Sequence, residues 1–110
     1  MTAPFHNFEA LDIRIGTIID ARVFEKARKP AYQLRIDFGK AGIKQSSAQI
    51  TDYYTCDALI GKQVVAVINF PVKQIANFFS ECLVLGIPDD NGKVVLLQPE
   101  RAVSDGLKIA

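Results

Sequence analysis

The amino-acid sequence predicts an all-β fold: a small barrel of five or more short strands, with one short helix between the third and fourth strands. Three observations point to it. Apolar side chains alternate with polar ones in "DIRIGTIIDARVF" and "AYQLRIDFG". Two β-branched runs, "KQVVAVINF" and "KVVLLQP", are bounded by glycine, proline and acidic turn residues. Between these groups, "TDYYTCDALIG" is the one internal stretch with a helical start and stop.

The elements follow in order along the chain. In "FHNFEAL", Phe5, Phe8 and Leu11 fall at helical spacing, which predicts a short amphipathic helix packed on the body as a lid or a dimer contact. From Asp12 a long strand begins, with Ile13 and Ile15 alternating against Arg14 and Gly16. Ile18 and Ile19 then break the phase, as a bulge or bend does, and Gly16 is a natural place for the bend. The charged segment "EKARKP" ends this strand, and the next one carries Tyr32, Leu34, Ile36 and Phe38 on one face, giving a hairpin. After a turn over Gly39 to Gly42, "IKQSSAQI" predicts a third strand. Thr51 is the expected N-cap of the following helix and Gly61 lies near its end. "KQVVAVINF" is a buried strand stopped by Pro71, "SECLVLGI" is the next strand, and "DDNG" turns the chain into "KVVLLQP". The terminal "LKIA" predicts one more short pairing. This order is that of an OB-type Greek-key barrel, although an SH3-like barrel or a small sandwich shares much of the same periodicity.

Composition narrows the functional classes. A chain of 110 residues suits a single domain, 1–110. Its net charge of +1 does not announce a nucleic-acid binder, so any such binding must come from a local patch. No apolar run approaches a membrane span, and "MTAPFHNFEA" lacks the basic start and apolar middle of a signal peptide, so a cytoplasmic protein without membrane insertion is expected. Two cysteines, Cys56 and Cys82, and the single His6 cannot make a tetrahedral zinc site of the usual kind, so no metal and no cofactor is expected. The sequence has no glycine-rich phosphate loop and no nucleophile elbow, and Ser46 and Ser47 have no evident base. The reading is a binding module with no catalytic residues.

Three stretches are candidates for binding. The basic loop "EKARKP", with Lys26, Arg28 and Lys29, sits where oligonucleotides approach OB barrels, or else it is a solvated loop that discourages edge association. The segment "NFPVKQIANFFSE" offers Phe70, Phe78 and Phe79 beside Asn69, Lys73, Gln74 and Asn77. These side chains can stack bases or grip an extended peptide, and because adjacent strand residues face opposite ways at least one phenylalanine should be exposed. The third stretch, "KQSSAQI", is an uncharged polar cluster in the middle of a strand. Either it lines a binding face or its serines satisfy backbone groups in a bulged strand.

Taken together, "LDIRIGTIIDARVF", "KQSSAQI", "LIGKQVVAVINF", "SECLVLGI" and "VVLLQPE" resemble the tRNA-binding domain family over nearly the whole chain. Within that family the likeness is greatest to its secretion-associated chaperones. The resemblance implies an OB barrel with added N- and C-terminal elements, joined through those elements into a homodimer. It also implies that unfolded or export-destined polypeptides are bound, with the Sec export machinery as a partner and tRNA binding as the alternative activity. The apolar Phe5, Phe8 and "LKIA" agree with a two-fold interface.

Carried over by position, Lys44, Gln45, Ser46 and Ser47 match the family's polar strand beside the ligand groove, Asn69 its polar strand end, and Ser80 with Glu81 its Ser-Glu pair. The expected peptide contacts are therefore Phe70, Phe78, Phe79, Lys44, Gln45 and Asn69. The expected nucleic-acid contacts are Lys26, Arg28, Lys29, Lys44, Ser46, Asn69, Lys73, Ser80 and Glu81. One departure tilts the reading toward polypeptide: the loop before "SE" is often richly basic in the family, whereas here it holds only Lys73 and places Phe79 next to Ser80.

Overall fold

The computed structural model describes residues 1–110. The first hairpin sets the frame. β1 (Ile13–Val23) pairs antiparallel with β2 (Tyr32–Asp37), and Tyr32, Leu34, Ile36 and the following Phe38 all turn inward and are buried. Side chains like Leu34 and Ile36, fully removed from water, each contribute roughly 1.5–3 kcal/mol of hydrophobic stabilisation. The phase break in β1 is a bulge. Ile18 pairs with Ile36 and Asp20 with Arg35, which leaves Ile19 unpaired and pushes it outward.

Gly16 does not make the bend; it stays in register opposite Val64. Its missing side chain answers a packing need, because a Cβ there would lie 2.6 Å from Ile36 Cγ2 and 2.7 Å from the Phe38 ring.

β3 (Ile43–Ala48) joins the far side of β2, and β4 (Gln63–Val67) the far side of β1. Between them lies a single helical turn, α2 (Cys56–Leu59), which buries Leu59. Its N-cap is Thr55 and not Thr51, since Thr55 Oγ1 accepts from the Ala58 N–H at 3.3 Å while residues 51–53 form a turn.

The stretch "SECLVLGI" is not one strand. Its serine ends β6 (Phe78–Ser80), which pairs with β5 (Lys73–Ile75) in a hairpin that the alternation pattern did not reveal. The remainder divides into β7 (Leu83–Val84), laddered to β4, and β8 (Gly86–Pro88). β8 pairs with β9 (Val94–Leu96) across the "DDNG" turn, where Gly92 adopts φ 76° and Asp89 accepts from the N–H groups of Asn91 and Lys93.

The main sheet runs β3-β2-β1-β4-β7, and its two edges meet to close the barrel. The seam is partly main chain, with Glu81 N–H donating to the Gln45 carbonyl, and partly side chain, with Ser46 Oγ donating to the Cys82 carbonyl at 2.9 Å. This is an all-β OB barrel with the helix between the third and fourth strands.

Terminal elements flank it. α1 (Phe5–Glu9) buries none of its residues, and the C-terminal segment lies beside β1 through a bridge between Arg14 and Lys108. No helix is long and apolar enough to cross a membrane.

Candidate binding surfaces

A groove of about 440 Å³ opens where the barrel seam, the β5–β6 segment and the β8–β9 hairpin converge. Phe70, Pro71 and Ile75 come from the approach to and end of β5. Leu83 and Val84 come from β7, and Pro88 and Val94 from the last hairpin. Polar groups punctuate this apolar lining: Ser47 in β3, Gln49 just after it, Lys73, and Glu81. Lys73 is exposed and makes no ion pair. Glu81 Oε1 accepts from the Gln45 N–H at 2.9 Å, so one carboxylate oxygen is already engaged in the seam. Cys82 also borders the groove. Burial is the main cause that pushes its thiol up to about 11, which keeps it neutral and unreactive near pH 7.

A second, smaller depression of about 170 Å³ is bordered by Asp20, Arg22, Gln33, Arg35, Gln45 and Phe78. Phe78 tilts against Phe24, with ring centroids 5.4 Å apart, and this contact brings the hairpin up to the β1–β2 loop. Lys26, Arg28 and Lys29 on that loop are all exposed and form no ion pairs. The basic loop thus sits next to a depression edged by guanidinium and amide groups. Arg22, Gln33 and Arg35 did not stand out in the sequence, although as outward-facing positions of β1 and β2 they were implicit in the alternation.

The sequence-derived residues divide among these places. Phe70, Lys73, Ser80 and Glu81 line the groove, and Gln45 and Phe78 line the depression. Phe79 is half-exposed and lines neither; it pairs with Gln74 on the hairpin and its carbonyl accepts from Gln45 Nε2 at 2.8 Å. The three phenylalanines therefore do not form one grip, because β6 sends Phe78 and Phe79 to opposite faces.

Ser46 is 1% exposed and is spent on the seam. Ser80 Oγ accepts from the Ser47 N–H at 3.1 Å. Asn69 accepts from the Asp12 N–H and donates to the Ala10 carbonyl, tying the N-terminal segment to the end of β4. Lys44, opposite Ile36, lines neither recess. Much of the "KQSSAQI" polarity thus closes the barrel, and Gln45, Ser47 and Gln49 are the polar residues of the stretch that line a recess.

The barrel carries two recesses, each with a lining residue from the β5–β6 hairpin, and comparison with known proteins gives its class. The chain belongs to the tRNA-binding domain family: a family model described as "Putative tRNA binding domain" matches residues 13–108. Among solved structures, the chaperone CsaA of Bacillus anthracis str. Ames superposes with a TM-score of 0.95 at 54% identity over 100% of both chains. The CsaA chaperone protein of Picrophilus torridus superposes with a TM-score of 0.93 at 50% identity, over 99% of this chain and 100% of that one. A curated relative, the methionine--tRNA ligase of Methanococcoides burtonii, is 34% identical over 102 residues, 93% of this chain. The chain spans about 15% of the length of that ligase.

Proposed function

We propose that the chain is a non-catalytic chaperone of the CsaA type, which holds unfolded or export-destined polypeptides in the groove beside the barrel seam and works in the cytoplasm as a homodimer. The observation that carries this reading is the groove itself. Its apolar lining of Phe70, Ile75, Leu83 and Val94 is interrupted by Gln49, Lys73 and Glu81, a mixture that suits apolar side chains alternating along a hydrogen-bonding backbone. The 50–54% identity to CsaA chaperones over essentially whole chains supports it.

The dimer rests on the terminal elements. Phe5 is 70% exposed, its ring 6.0 Å from that of Phe8, and Leu107 is exposed at the other terminus. A second copy would cover both at once. In this reading the client is the polypeptide and the Sec machinery its destination. Suppression of aggregation of a chemically unfolded protein tests it, and failure to slow aggregation at any molar excess would remove the chaperone function.

The second reading is a tRNA-binding protein. The basic loop beside Arg22, Arg35 and Phe78 favours it, as does membership of the family. The bound ligand would lie over the depression lined by Arg22, Arg35 and Phe78. Fluorescence anisotropy with mixed tRNA across a salt series separates the readings, since contacts to phosphates weaken steeply with salt whereas apolar capture does not.

A further inference from the structure

The β8–β9 hairpin forms one wall of the groove, yet it is a separate two-stranded sheet that no ladder joins to the barrel. Its root is anchored by the buried Leu96 and by Leu85 N–H donating to the Val65 carbonyl at 2.8 Å, and two consecutive tyrosines add side-chain contacts. At its root, Tyr54 Oη accepts from the Leu96 N–H at 2.9 Å, and Tyr54 packs against the core with its own carbonyl accepting from Tyr32 Oη. At its tip, the half-exposed Tyr53 donates its hydroxyl to Asp89 Oδ2, and Lys93 Nζ lies 5.8 Å from the centre of the Tyr53 ring. The other Asp89 oxygen shapes the turn by accepting from Asn91 and Lys93, so a single carboxylate links the turn to Tyr53.

The two ends of this clasp lie outside the groove but close in the chain to residues that line it. Asp89 follows the lining residue Pro88, and Tyr53 lies three residues beyond the lining residue Ile50.

We propose that Tyr53 is a positioning residue for polypeptide capture: by clasping Asp89 it holds the β8–β9 wall inward and sets how large a side chain the groove admits. This rests on the polypeptide reading of the groove. The root contact at Tyr54 is embedded in the core and belongs to folding. The tip contact is exposed to water and removable, so it biases the wall's position without deciding whether the barrel forms. A weak contact of this kind still shifts the balance between a narrow and a wide groove, since a population ratio responds exponentially to small free energies.

The test is Tyr53→Phe, which keeps the ring beneath the Lys93 ammonium while removing the donor. Two probes are used: a labelled extended peptide alternating leucine and serine, and its counterpart with tryptophan in place of leucine. The wild type should favour the leucine peptide. In the variant that preference should shrink roughly threefold or more, with faster amide hydrogen exchange over residues 86–96 and unchanged exchange in β1 and β2. The thermal midpoint should not move. An unchanged peptide preference overturns the proposal, as does unchanged exchange in the hairpin. If the wild type captures neither peptide, the polypeptide reading of the groove fails and takes this inference with it, an outcome visible before the variant is made.

Discussion

Ser46 Oγ donates to the Cys82 carbonyl across a seam where β3 and β7 share no ladder, and both residues are buried. A buried hydroxyl is tolerated there because it is the nearer of two donors to the Cys82 carbonyl, the other being Ser80 Oγ at 3.4 Å. Ser46→Ala should therefore destabilise the fold by about 1 kcal/mol in urea unfolding, the net worth of one hydrogen bond where Ser80 still serves the carbonyl. Ser47→Ala, whose hydroxyl donates no such bond, should stay within roughly half a kcal/mol of wild type. Equal effects of the two changes would remove Ser46 from the seam.

Gly16→Ala tests the close approach of β1 to the core. The added methyl would meet Ile36 and Phe38, both fully buried, so neither can swing into solvent. A loss of about 1–3 kcal/mol from overpacking is expected, read as a lower denaturation midpoint. A neutral result would mean that β1 shifts outward at little cost.

Phe70→Ser should separate capture from folding. Phe70 lines the groove yet is 44% exposed, so its removal takes little from the core. Peptide affinity should fall roughly fivefold or more, as is common when an aromatic contact worth more than about 1 kcal/mol is truncated. Phe78→Ser should leave capture in place, because Phe78 packs on Phe24 away from the groove. Full aggregation suppression by the Phe70 variant would place the client elsewhere.

Charge reversal at Lys26, Arg28 and Lys29 addresses the second reading. If tRNA lies against the β1–β2 loop, the triple variant should lose most of its binding at low salt. The slope of log affinity against log salt should also become shallower by about 2, because each phosphate that the protein neutralises adds roughly 0.7–0.9 to it. Peptide capture should be unaffected, since none of the three residues borders the groove. An unchanged salt slope would clear this loop of any phosphate contact.

Cys82 links burial to alkaline stability. Its thiol is pushed from the ordinary 9.0 up to about 11, chiefly by burial. The unfolded chain therefore releases this proton first as pH rises, and stability that is fully present below about pH 9 declines until about pH 11. The decline should amount to about 2–3 kcal/mol, since each pH unit between the unfolded and folded values is worth about 1.36 kcal/mol. Cys82→Ala should flatten that decline, and iodoacetamide at pH 8 should label the half-buried Cys56 in preference to Cys82. Equal labelling of both in the native protein would show that Cys82 is reachable.

What the sequence determined by itself is local. Alternation over Tyr32 to Phe38 placed four side chains in the core, the doubled isoleucine at 18 and 19 announced a bulge, and "DDNG" announced its hairpin, because each signal lies within a few residues of the structure it specifies. Exposure of at least one phenylalanine near the Ser-Glu pair was legible for the same reason.

The tertiary structure decided the rest. It assigned Ser46 to Cys82, Asn69 to Asp12 and Ala10, and Phe78 to Phe24, pairings between residues 36 to 59 apart in the chain wherever a hydrogen bond is involved. It also parted the phenylalanines between two faces of a hairpin too short for its periodicity to register. Closing a barrel brings remote edges together. Which polar group meets which carbonyl at that seam depends on strand order and register, and these emerge only when the whole sheet has curled upon itself.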